Sequence, residues 1–293
     1  MTETVETIGI VGTGRMGTGI AYEALLNGFQ VLLSDISDRQ LDAALTQLRS
    51  NADRDYRTGK LTRLEFDLVL AHIEPVYSAQ EFAKCNLVIE AVVEDETIKR
   101  AVYRGLCSEL DPDAVLATNA SSFPITRLAA ETDRPERFIG MHFMYPVHSM
   151  ELVELVRGIA TSDSTFEYAK QFVTRLGKTA VVVEDFPGFI VDRVLLCMIN
   201  EAVYALHEGV ASISAIDAAI RFGAHHPMGP LELADFLGLD RCLSLMQALH
   251  KGLADTKYRP CPLLTKYVEA GWIGRKVGRG FYNYHSGTPV PTR

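Results

Sequence analysis

The sequence predicts an α/β protein, a doubly wound and mainly parallel sheet followed by an all-α C-terminal domain. A short apolar run at residues 8–11 leads straight into Gly12-Thr13-Gly14-Arg15-Met16-Gly17 and then into helical spacing. Strand-like runs then alternate with helical stretches as far as residue 183, the order that builds parallel sheets covered by helices. After Asp185, Pro187 and Gly188 interrupt the pattern. Everything downstream has helical spacing, beginning with Val191, Val194, Leu195, Met198, Ile199 and Ala202. The division places one domain at residues 1–186 and a second at residues 187–293.

Taken in order, residues 8–11 read as a strand and the next helix can end at Gly28. Residues 30–34 read as a second strand, and Asp38 is placed to cap a helix running through Leu41, Leu45 and Leu48. Leu61, Leu64, Leu68 and His72 form a further helical pattern that Pro75 should stop. Strand-like runs recur at residues 87–93, 115–117, 138–143, 152–156 and 179–183. In the second half, helices fit residues 213–222, 231–237, 241–253 and 263–270, and the tail after Tyr284 reads as loose. A helical domain this apolar has surface to cover, and self-association is the simplest outlet, so a homodimer through the C-terminal domain is expected.

Composition narrows the class. The chain has 293 residues, 47% of them hydrophobic, which suffices for two domains with cores of their own. No apolar run approaches the roughly 20 residues of a membrane span, so no membrane association is expected. A net charge of -8 argues against nucleic acid, whose phosphates require a basic face. The start MTETVET carries acids and no basic region before an apolar stretch, so neither a secretory signal nor a transit peptide is expected, and a cytoplasmic location is. Cys85, Cys107, Cys197, Cys242 and Cys261 are odd in number and widely spaced, which suggests reduced, structural thiols and no metal site.

The chemistry begins at the glycines. Gly12 allows a tight turn, Gly14 lets the backbone approach a pyrophosphate, and Gly17 lets helix and strand pack closely, with the helix N-terminus facing the phosphates. Asp35 follows 23 residues after Gly12, at the end of the second strand. A carboxylate there can accept from ribose hydroxyls and would repel a 2'-phosphate, so the cofactor expected is NAD. Glu90 to Glu94 closes one strand and Asn119-Ala120-Ser121-Ser122 follows another, at the strand ends where ligands of open sheets bind. Residues 138–156 then set His142 at the end of one apolar strand and Glu154 as the only charge in the next. A carboxylate amid leucine and valine is costly unless paired. If the intervening loop folds the second strand beside the first, Glu154 orients the His142 imidazole as a general base.

The stretches IGIVGTGRMGTGIA, EAVVE, NASSFPIT, IGMHFMYPV, MELVELVRG, PGFIVDRVL, INEA, HPMGPLELADFLGLD and GRKVGRGFY, in register from about residue 6 to residue 284, together resemble the bacterial L-3-hydroxyacyl-CoA dehydrogenases. They are most similar to the 3-hydroxybutyryl-CoA branch. The resemblance implies an NAD-binding Rossmann-type domain, a helical dimerising domain, a substrate cleft between them, and a short-chain acyl-CoA thioester as substrate. It puts the catalytic histidine on His142, its partner on Glu154 and a substrate-binding serine on Ser121. Gly12, Gly14, Arg15, Met16, Gly17, Asp35, Glu94, Lys99 and Asn119 would lie at the cofactor, and Arg54 and Lys60 at the phosphates of coenzyme A.

Several positions depart from that pattern. Tyr145 stands where asparagine is usual, His148 replaces a proline, and Asp192 replaces an asparagine at the substrate. Ionised aspartate can only accept hydrogen bonds, so Asp192 would suit a hydroxyl or ammonium group on the acyl chain. Tyr145 and Asp192 are accordingly read as substrate-side residues, with Asp192 also close to the catalytic group. These changes, with Thr58 in place of a lysine, fit an alternative substrate, a hydroxyacyl group on an acyl carrier protein as in polyketide-type pathways. A non-catalytic NAD-binding protein is the alternative from another class.

Overall fold

The computed structural model describes residues 5–293; the first four residues of the acidic start, on which the expectation of no leader partly rests, lie outside them. The chain divides into two compact units, one ending at Phe186 and one running from Pro187 to Arg293.

In the first unit, β1 (Thr7–Val11), α1 (Arg15–Leu26), β2 (Gln30–Ser34), α2 (Asp38–Arg57), α3 (Arg63–Ala71) and β3 (Ile73–Pro75) follow one another. Then come β4 (Leu87–Glu90), α4 (Glu96–Cys107), β5 (Val115–Thr118), α5 (Ile125–Ala129), β6 (Phe138–Phe143), β7 (Leu152–Arg157), α6 (Asp163–Arg175) and β8 (Thr179–Glu184). One eight-stranded sheet results, in the order β3-β2-β1-β4-β5-β6-β7-β8. All neighbours pair in parallel except β6 with β7, which are antiparallel. The chain leaves β1 toward β2 and β3 and then crosses to β4 on the other side, so the crevice at the carboxyl ends of β1 and β4 is the switch point where ligands of such sheets bind. β4 and β5 are buried along their whole length, which explains their unbroken apolar character.

Four expectations need correction. Ser37, not Asp38, caps α2, accepting from the Gln40 amide, and Asp38 sits in the first turn where its charge favours the helix dipole. Pro75 does not follow a helix directly: it ends β3, the strand at the edge of the sheet, where a missing N–H costs no ladder bond. β4 ends at Glu90, and residues 91–93 leave the sheet. The tail past Tyr284 is not loose throughout, because β9 (Tyr282–Asn283) pairs antiparallel with β10 (Val290–Pro291) and the Thr292 amide donates to Phe281.

The second unit holds α7 (Val191–His207), α8 (Ile213–Gly223), α9 (Pro230–Leu237), α10 (Leu239–Leu253) and α11 (Pro262–Glu269), followed by the β9–β10 hairpin. Leu196, Ile199, Val203, Leu231, Leu239, Met246, Leu264 and Phe281 form its core. Two buried aspartates pin its loops. Asp217 accepts from the Leu231 and Glu232 amides and the Tyr282 hydroxyl, while Asp235 accepts from the Phe281 and Tyr282 amides and the Tyr284 hydroxyl. Among the described residues, no helix is long and apolar enough to cross a membrane.

Candidate active site

The antiparallel register of β6 and β7 places His142 directly opposite Glu154. Side chains opposite one another in such a pair share a face, and here His142 Nδ1 lies 2.8 Å from Glu154 Oε2. The imidazole is 3% exposed and the carboxylate not at all, so the pair interacts with little screening by water. A carboxylate at Nδ1 takes the proton of that nitrogen in its hydrogen bond, and neutral imidazole then has its acceptor lone pair at Nε2.

A second buried network lies at the carboxyl ends of β4 and β5. Glu90 ends β4 fully buried and accepts four hydrogen bonds: from Lys99 Nζ and the Val92 amide at 2.8 Å, and from the Tyr103 and Thr118 hydroxyls at 2.7 Å. Lys99, on α4, also lies 3.3 Å from Glu94. Glu94 in turn accepts from the Ser121 and Ser122 amides at 2.9 and 2.8 Å and from the Ser122 hydroxyl, with the Ser121 hydroxyl at 3.4 Å. Burial alone would push the Glu94 carboxyl up, but Lys99 first and the serine hydrogen bonds next hold it below the ordinary carboxylate value. Asn119 accepts from the Phe143 amide at 2.9 Å and so braces the residue beside His142. Glu94, Lys99, Asn119 and Ser121 are thus brought into one connected region of the sheet.

The glycine loop is built to leave backbone open. Gly12 has φ +101°, and a Cβ there would come within 2.7 Å of the Ala91 backbone; one on Gly17 would lie 1.8 Å from the Gly12 carbonyl. Gly14 has nothing within 4 Å of that position, so its backbone faces free space at the start of α1. A dinucleotide pyrophosphate fits this cradle. Asp35 stands at the end of β2, as its spacing requires, and also accepts from the Thr13 amide and hydroxyl at 2.8 Å. Its carboxylate therefore fixes the glycine loop, and further lone pairs remain in its acceptor capacity for sugar hydroxyls.

Beside this loop lies a pocket of about 490 Å³, lined by Arg15 and Gly19 from α1, Gln47 and Asn51 from α2, and Tyr145 and His148 from the β6–β7 connection, among others. The Arg15 guanidinium sits 5.9 Å from the centre of the Tyr145 ring. Arg54 and Lys60 lie near the end of α2, 59% and 73% exposed, at 3.3 and 4.0 Å from Asp55, which also accepts from Tyr22. Thr58 caps that helix end, with its hydroxyl on the Asp55 carbonyl. Asp192 is in the other unit, buried in the first turn of α7. Sequence reasoning places Glu90 only at a strand end and gives it no role, although its position as the sole charge in LVIE carries the signal that marks Glu154. It has no means of finding the Tyr22 hydroxyl on Asp55, a contact that spans 33 residues. Among the described residues, no group of three or more His, Cys, Asp or Glu is placed to hold a metal ion.

A dinucleotide cradle on a sheet that also carries a buried imidazole–carboxylate pair defines a class, the nicotinamide-dependent dehydrogenases. Residues 7–186 match the family "3-hydroxyacyl-CoA dehydrogenase, NAD binding domain", and residues 188–284 match "3-hydroxyacyl-CoA dehydrogenase, C-terminal domain". The chain is 56% identical over its whole length to the whole of a 3-hydroxybutyryl-CoA dehydrogenase from Bradyrhizobium diazoefficiens. It is 49% identical to a probable 3-hydroxybutyryl-CoA dehydrogenase from Bacillus subtilis, over 97% of this chain and 99% of that one. The crystal structure of (S)-3-hydroxybutyryl-CoA dehydrogenase from Ralstonia eutropha superposes with a TM-score of 0.93 at 42% identity, covering 96% of this chain and 99% of the other. The chain belongs to the 3-hydroxyacyl-CoA dehydrogenase family, in its 3-hydroxybutyryl-CoA dehydrogenase branch. It is an NAD-dependent oxidoreductase, and NAD is the cofactor that its cradle fits.

Proposed function

We propose that this chain interconverts a short-chain L-3-hydroxyacyl-CoA, 3-hydroxybutyryl-CoA, and its 3-keto partner, acetoacetyl-CoA. The observation that carries this reading is the buried 2.8 Å contact between His142 and Glu154 at opposed positions of β6 and β7. NAD, when bound, supplies the acceptor for the hydride that leaves the hydroxyl-bearing carbon. His142 takes the hydroxyl proton at Nε2 and returns it when the reaction runs the other way. Glu154, hydrogen-bonded to Nδ1 opposite it, fixes the imidazole's orientation and stabilises the imidazolium that forms. Ser121, whose amide is anchored by Glu94, donates to the reacting oxygen.

The remaining roles follow the same reading. Gly12, Gly14, Arg15, Met16 and Gly17 hold the cofactor's phosphates and Asp35 its ribose, with Glu94, Lys99 and Asn119 at its reactive end. The pocket beside Arg15 and Tyr145 takes the arm of coenzyme A, with Arg54 and Lys60 toward its phosphates; as exposed cations they hold these loosely and in a salt-dependent way. Asp192 is assigned to the substrate. Val194, Val210 and Phe222, exposed by 65%, 72% and 69%, support association of two copies through that unit, which sedimentation velocity reads directly. We place the protein in the cytoplasm, which cell fractionation tests.

Tyr145, His148, Thr58 and Asp192 favour one second reading, a hydroxyacyl group carried on an acyl carrier protein. Oxidation of NADH by acetoacetyl-CoA, followed by absorbance, decides between the two: rapid turnover removes the carrier-protein reading. In the same assay His142→Ala should lose turnover by on the order of 10³-fold while NADH binding, followed by fluorescence, stays intact. Near-wild-type turnover in that variant would sink the assignment.

A further inference from the structure

The connection between the His142 strand and the Glu154 strand is fastened by a side chain that neither the glycine loop nor the histidine–glutamate pair uses. Lys178, immediately before β8, is buried, with its side chain 5% exposed. Its Nζ donates to the Val147 carbonyl at 2.7 Å and the Met150 carbonyl at 3.0 Å, and lies 3.5 Å from Glu23 Oε1 on α1. An ammonium has three donors, and these acceptors engage all three.

A second contact holds the same segment from its apolar side. A Cβ on Gly19 would come within 2.8 Å of Val147 Cγ2, so the Val147 side chain rests directly on the α1 backbone. Gly19 and Glu23 are one helical turn apart and share a face. Helix α1 thus grips the connection twice, by close packing at Gly19 and by charge at Glu23. Burial raises the Glu23 carboxyl, with Lys178 and then His148 opposing that rise, so the pair beneath the loop is one in which Lys178 keeps a costly carboxylate in place. Gly19, Tyr145, Val147 and His148 all line the 490 Å³ pocket.

We propose that Lys178 is a positioning residue for the thioester substrate: it fastens the 147–150 backbone to α1 and thereby sets the wall of the pocket. This rests on the reading of that pocket as the place of the coenzyme A arm. The effect falls on substrate affinity because the two neighbouring parts are held independently. His142 and Glu154 are fixed by strand register, and the glycine loop is fixed by Asp35.

Lys178→Met keeps most of the aliphatic stem and removes every donor. Steady-state kinetics of the full chain should give a KM for acetoacetyl-CoA raised about tenfold or more, with kcat within about threefold and the KM for NADH within about twofold. Lys178→Arg, which keeps the charge, should recover part of the loss. Should Lys178→Met fail to fold, Glu23→Gln weakens the same grip while leaving the carbonyl contacts, and a rise of about threefold in the same KM is expected. An unchanged KM for acetoacetyl-CoA in a folded variant, or a fall in kcat alone, overturns the proposal. Wild-type protein that binds NADH but neither binds nor reduces acetoacetyl-CoA overturns the pocket reading itself, a failure seen before any variant is made.

Discussion

The two units bury carboxylates in different company. In the sheet unit, Glu90 faces Lys99, Glu154 faces His142, and Glu23 faces Lys178, each acid beside a nitrogen that carries or can take a proton. In the helical unit, Asp217 and Asp235 are capped by backbone amides and tyrosine hydroxyls. A cation does not by itself decide titration, since burial raises the Glu23 carboxyl although Lys178 opposes the rise. Glu94, beside Lys99, is held below the ordinary carboxylate value, whereas burial pushes Asp235 up to about 6 despite its amide and hydroxyl donors. Lys99 holds Glu94 charged beside the Ser121 turn; Asp235, with amides and a tyrosine hydroxyl for partners, is a fastener, tolerated because its donors would otherwise be unpaired.

Substitutions can break this contrast, and the largest effect is expected at Glu154. Glu154→Gln should lower kcat by on the order of 10³-fold, roughly 4 kcal/mol of barrier, with little change in NADH affinity, because the amide no longer stabilises the imidazolium. Steady-state rates with acetoacetyl-CoA measure it, and a loss below tenfold would show that Glu154 is only a packing partner. Lys99→Met comes next. It strands Glu90 and removes the cation from Glu94, so urea unfolding should reveal a loss of about 3 kcal/mol, accompanied by weaker turnover as the Ser121 turn loosens.

The smallest effect belongs to Asp235. Between its ordinary value of 3.8 and about 6, the folded state binds a proton that the unfolded state has released, so rising pH favours unfolding across that window. Asp235→Asn should remove this part of the pH dependence and cost about 1 kcal/mol at acidic pH, with catalytic constants unaltered. Glu94 runs the other way, its contribution being present at neutral pH and lost as pH falls through its lowered value. If Lys99→Met and Asp235→Asn changed stability and turnover alike, the distinction between the two kinds of buried acid would be wrong.

The site was legible where its signal is local in sequence. Gly12, Gly14 and Gly17 are read from spacing, and Glu154 from being alone among leucine and valine. The β-α-β order makes the sheet legible too, but Pro75 reads only as a helix stop because nothing local distinguishes a stop from an edge strand. Glu90 carried the same signal as Glu154, yet its donors Lys99, Tyr103 and Thr118 are 9, 13 and 28 residues away, and only the fold gathers them. Lys178 carried none, since two of its three acceptors are main-chain carbonyls that any residue could supply.

The antiparallel pairing of β6 with β7 separates the pair's alignment from the loop that joins the strands. Because the ladder itself sets His142 against Glu154, the pair's alignment does not depend on the side chains of the stretch joining the two strands. Tyr145 and His148 fall in that stretch and line the pocket, so exchanging them remodels its wall while the histidine–glutamate register stays as it is.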